Sequence, residues 1–232
     1  MTIKKAEIPK LEFKYLFMTL IVLASLWGFS EVVMNEWIRS FILPLRAAIL
    51  TGIGMLTMGL LLGVLKRPLT LIILPFIVIA LKQLVVPILG MSVLCKANSC
   101  AAVALQAFAL AGAYGIFMRR GNPSLTKKAA TGASAALVSS ISFFLIGLKL
   151  APCKYLLSYN QAGGFMSFMV NEGLIWTLLA AISFPVGFWL GEKLRQPVLN
   201  YARKKPGFYY SYSAGLVISC WVAIALTIAA AG

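Results

Sequence analysis

Seven stretches of this chain hold almost nothing but apolar residues: 15–34, 47–65, 69–91, 100–118, 129–148, 170–191 and 210–231. Each is near the roughly 20 residues an α-helix needs to cross the hydrocarbon core of a bilayer. Short polar connectors separate them. The pattern predicts an all-α, polytopic transmembrane bundle of about seven spans. It is read as one integral membrane domain over residues 1–232, with no second domain and no internal repeat. Residues 1–14 form an N-terminal segment, 192–209 a basic segment, and 210–231 the last span.

A few polar residues break these runs. In "IVIALKQLVVP" Lys82 and Gln83 stand side by side, flanked by Pro75 and Pro87. Each proline removes a backbone donor, so a kinked helix is expected around Lys82. Glu31, in "LWGFSEVV", is the acid set deepest in a span. Gln106 lies in "AVALQAF", and Asn171 and Glu172 open the sixth span in "FMVNEGLIW". An ionisable group at such depth costs about 2.5–3.5 kcal/mol to insert and as a rule faces the bundle interior or a wet cavity. Two readings fit Lys82. It lines a solute cavity, or it only pairs with Glu31 or snorkels towards the surface along its long stem.

Composition supports the membrane reading. Of 232 residues 61% are hydrophobic and 12% charged, with a mean hydropathy of +0.92. A soluble domain carries about 25% charged residues. The net charge of +15 does not imply a nucleic-acid partner, because the cations sit in short connectors. Histidine and aspartate are absent and glutamates number six, which removes most His-based hydrolase and metalloprotease chemistry. There is no G-x-x-x-x-G-K-[ST] run to bind ATP. The first apolar run is too long for a signal-peptide h-region and lacks an A-x-A site. No metal and no cofactor is expected.

Lys and Arg fix the expected orientation. With the N-terminus inside, fifteen fall in inner connectors (from Lys4 to Lys14, Lys66 and Arg67, Arg119 to Lys128, Lys193 to Lys205), against five in outer ones. The positive-inside rule then gives a multi-pass protein of the cell membrane, N-terminus in and C-terminus out, its basic segment facing anionic lipid headgroups. Lys82 then lies roughly 20 Å, and Glu31 roughly 24 Å, from the inner surface at 1.5 Å per residue. Gln106, Glu172, Asn171, Gln83 and Ser30 share this outer half. Such one-sided clustering suggests a polar cavity opening outward. The loop "SYNQAGGFMSFMVNEG" either caps it, with Gly163 and Gly164 as a flexible point, or is an ordinary interfacial loop.

Cys95 and Cys100 in "LCKANSC", with Cys153 in "LAPCKYL", fall on the outer side. They allow a disulfide or thiol site; metal capture and redox catalysis remain open, though neither C-x-x-C nor histidine is present. Cys220 reads as a small apolar residue. Gly59 and Gly63 form a G-x-x-x-G pair suited to close helix packing. Ala24 and Gly28 are spaced to pack within the bundle or to dock a second membrane protein.

The succession "LASLWGFSEVV", "LPLRAAILTGIGM", "IVIALKQLVVP", "AVALQAFALAGAYG" resembles the substrate-capture (S) components of energy-coupling factor transporters over about the first 190 residues. The resemblance implies a small bundle, here a six-helix core plus a C-terminal helix, that binds a vitamin or similar micronutrient near the outer face. It also implies a transmembrane coupling protein with cytoplasmic ATPases. Ala24 and Gly28 stand where that family has A-x-x-x-A. From the residues themselves, the expected function is binding and uptake of a small polar or charged solute. Lys82 would meet an anionic group, Glu31 and Glu172 a cationic one, with Gln106 orienting and Gln83 and Asn171 adding polar contacts. The rivals are a structural subunit of a membrane complex and a membrane thiol redox protein.

Overall fold

A computed structural model describes residues 11–41, 45–84, 97–118, 123–150, 152 and 154–231. Among them there are helices and turns but no strand. In chain order they are α1 (Leu11–Phe29), a π-helical turn (Ser30–Met34), α2 (Asn35–Phe41), α3 (Arg46–Leu65), α4 (Thr70–Leu84) and α5 (Ala97–Phe117). Then come α6 (Leu125–Leu150), α7 (Lys154–Leu157), α8 (Gly164–Phe168), a second π turn (Met169–Gly173), α9 (Leu174–Lys204) and α10 (Pro206–Ala231).

Among the described residues, six helical stretches are long and apolar enough to cross a membrane. The third predicted span, 69–91, is helical from Thr70 to Leu84; residues 85–91, Pro87 included, lie outside the described residues. The sixth begins earlier than the apolar run suggested, at Gly164. Gly163 takes a positive φ of 76° there, turning the chain into α8. The basic segment 192–209 is not a separate surface helix. It prolongs α9, whose 31 residues reach about 46 Å, and continues after Lys205 into α10, where Pro206 takes the first helical position.

Contacts give each helix its direction. On α3, Gly52 faces Leu179 and Ser183 of α9, Gly59 faces Phe184 and Phe188, and Gly63 faces Phe188 and Glu192, so α3 and α9 run parallel. A Cβ on Gly59 would fall 2.5 Å from the Phe184 carbonyl oxygen, and Gly187 and Gly191 of α9 meet the backbone of Leu56 and Leu60 in the same way. The two backbones touch, as small-residue seams allow in lipid. Helix α6 runs opposite to α9, with Gly132 against Ala180 and Ser140 against Met169. Helix α10 lies parallel to α1, through Tyr15–Tyr209, a 2.9 Å bond from Trp221 Nε1 to Ser25 Oγ, and Gly28 against Ile224. Of the two readings of the Ala24 and Gly28 face, packing within the bundle is the one seen: Gly28 meets Leu81 of α4 and Ile224 of α10, and Ala24 is fully buried. Gly207 and Gly215, on α10, face open space instead.

The core is a continuous cluster around Trp27, Met55, Met58, Leu61, Leu74, Leu110, Phe168 and Phe184. Outside it, large apolar side chains are exposed, Phe76, Leu178, Ile182, Trp189 and Leu226 among them. In water such a surface would be an aggregation hazard; against acyl chains it is a lipid-facing belt. The two ends differ. Lys66, Arg67, Lys127, Lys128, Lys193, Arg195 and Arg203–Lys205 collect at one. There Glu192 bridges Lys66 and, at 3.1 Å, Lys128, and both ammonium groups lie 4.4 Å from the Phe188 ring. Glu31, Lys82, Gln106 and Glu172 lie towards the opposite end.

Candidate functional site

Both buried glutamates sit in π-helical turns. Glu31 lies in the first and Glu172 in the second. A π turn carries one extra residue, which re-aims the side chains it contains and is frequent at functional sites. Each carboxylate is held by an indole four residues away. Trp27 Nε1 donates to Glu31 Oε1 at 3.4 Å, and Trp176 Nε1 donates to Glu172 Oε2 at 3.1 Å. The sequence spells this as W-x-x-x-E and E-x-x-x-W, one turn apart in each case.

Lys82 reaches Glu31 across the α1–α4 contact, Nζ to Oε2 at 2.8 Å, and also donates to Ser99 Oγ at the start of α5. It is 3% exposed and Glu31 is 8% exposed. The predicted pair therefore forms, and it leaves Lys82 engaged on both sides. Gln106 is 4% exposed; its Nε2 donates to Thr51 Oγ1 on α3 at 2.9 Å, while its Oε1 has no partner. Asn98 likewise has an amide with neither nitrogen nor oxygen bonded.

Both glutamates, Ser99, Gln106 and Asn98 converge on a cavity of about 390 Å³, within the range of small-molecule sites; Lys82, engaged by Glu31 and Ser99, is not among the residues that line it. Glu31, Thr51, Asn98, Ser99, Gln106 and Glu172 line it, with Asn35 and Arg46. Leu50, Phe143 and Trp176 supply apolar wall. Phe168, fully buried, packs behind against Phe144, Tyr155, Tyr159 and Trp176. The segment from α7 to the second π turn thus walls the site with aromatic rings. Burial, and after it the Glu172 charge, pushes the Tyr159 phenol above its ordinary range.

Not every expected residue arrives. Asn171 is exposed and its Nδ2 donates to Ser167 Oγ at 3.2 Å, turned away from the buried Glu172 beside it. Gln83 points away from the cavity, its Nε2 at 3.4 Å from the buried Cys100 Sγ. Cys95 and Cys153 lie outside the described residues, and with them the proposed thiol site. Among the described residues no group of His, Cys, Asp or Glu is placed to hold a metal ion. Arg46 was not anticipated as a site residue: it opens α3 and counts as a connector cation in the sequence, yet its side chain lines the cavity.

No protein-family model, no curated protein and no solved structure matches this chain.

Proposed function

We propose that this chain is a membrane-embedded solute-binding protein that takes up a small polar solute through the cavity between the first π turn, α3, α5 and α9. The observation that carries the reading is the pair of π turns, which aim two carboxylates from different helices at one cavity. Burying that much polarity without use is costly. An unpaired buried amide oxygen alone costs about 1–3 kcal/mol, and Gln106 Oε1 and the Asn98 amide both stand in that condition. A solute that satisfied them would bring that energy to binding.

In this reading the basic end faces the cytoplasm and the cavity opens outward, supported by the segregation of cations. Energy for uptake comes from partner proteins, in the manner of the S components the sequence resembles. The closing of the Ala24–Gly28 face by α10 puts any coupling helix elsewhere on the surface. The test is a thermal-stabilisation screen of the purified protein across water-soluble metabolite classes, repeated on Gln106→Leu. At least one class should raise the midpoint of the native chain and fail on the variant. If no class stabilises the native chain, solute binding is refuted.

A further inference from the structure

The charges around the cavity are divided into a closed pair and an open pair. Glu31 and Lys82 neutralise each other by direct contact at 2.8 Å. Arg46 and Glu172 do not touch. Both line the cavity, and the Arg46 guanidinium makes no hydrogen bond or ion pair among the described residues. One unengaged cation and one carboxylate therefore face the same cavity, and the described charges around it cancel.

We infer that the solute is a small zwitterion with an apolar body, an amino acid in chemical class, its carboxylate on Arg46 and its ammonium on Glu172. The inference rests on the solute-binding reading above and adds the ligand's charge pattern. A lone cation would satisfy Glu172 and leave Arg46 uncompensated in a medium where isolated charge is expensive; a lone anion would do the reverse. A zwitterion engages both and keeps the site neutral. The guanidinium is suited to a carboxylate, which it grips by two parallel hydrogen bonds. At the other pole an ammonium has three donors. Glu172 is an acceptor, and Thr51 holds the Gln106 amide so that its free Oε1 is a second. Leu50, Phe143 and Trp176 leave an apolar flank for the ligand's body.

Three matched probes test this on the full-length protein in nanodiscs: L-phenylalanine, phenethylamine (no carboxylate) and 3-phenylpropanoate (no ammonium). Binding shows as thermal stabilisation that grows with concentration. L-Phenylalanine should bind about 10–100-fold more tightly than either truncated probe, each lost ionic contact being a factor of ten or more. Arg46→Gln should reverse the order, weakening L-phenylalanine while phenethylamine gains, a swap that a merely structural role for Arg46 does not produce. Equal stabilisation by either truncated probe, or an unchanged order in Arg46→Gln, overturns the zwitterion inference and leaves solute binding intact. Stabilisation by none of the three also overturns it. The metabolite screen then decides the rest: a hit there spares the cavity reading, and none removes both.

Discussion

Removing either member of the Glu31–Lys82 pair should destabilise the protein far more than removing both. In Lys82→Met the Glu31 carboxylate keeps only the 3.4 Å bond from Trp27 and loses its counter-charge. Breaking a buried pair from one side costs about 3–5 kcal/mol. At about 2–4 °C per kcal/mol for a chain of this size, the midpoint falls by about 6–20 °C. Glu31→Gln/Lys82→Met has no charge to strand and should regain most of the loss. Thermal unfolding of the four proteins in one detergent measures the cycle. If the two single losses add in the double variant, the pair is not coupled and the reasoning fails.

The glycine seam gives a second test. Gly187→Ala puts a methyl against the Leu56 carbonyl and should cost about 1–3 kcal/mol or more by overpacking, whereas Gly215→Ala meets open space and should leave the melting midpoint unchanged or slightly raised; equal effects would mean that α3 and α9 are not in backbone contact. Trp176→Phe removes the 3.1 Å bond to Glu172 and should lower stability by about 1.5–3 kcal/mol, as expected for a hydrogen bond to a charged group; an unchanged midpoint would show that the indole does not hold the carboxylate. Trp221→Phe, which loses only a neutral bond to Ser25, should cost about 0.5–1.5 kcal/mol. For orientation, a cysteine placed at Gly207 in a cysteine-free background should react with a membrane-impermeant maleimide only after the cells are opened; labelling of intact cells would invert the topology.

Depth along the helix was legible in the sequence; direction around it was not. Lys82 and Glu31 could be matched because span counting gives axial height, and the structure joins them. Gln106 and Glu172 were found the same way. Asn171 shares its height with Glu172 but points elsewhere, since neighbours on a helix are turned about 100° apart and the π turn adds its own rotation. Arg46 was hidden by its position, because a cation at a span's edge reads as a topology signal. The Ala24–Gly28 face was read correctly as a close-packing surface, but its occupant is a helix nearly 200 residues downstream, and one sequence carries no local trace of such a pairing.

The seam of Gly59, Gly63, Gly187 and Gly191 has a consequence for selectivity. Backbones in contact cannot slide or splay without breaking apart, so α3 and α9 behave as one rigid frame. Arg46 opens one member of that frame and Glu172 stands at the head of the other, at the same end. Their spacing works like the jaws of a caliper locked at one setting. Glu31, Lys82 and Gln106 come from the first π turn, α4 and α5, outside the frame. If the cavity takes the zwitterion inferred above, a protein built this way would select its ligand first by the distance between the two charges.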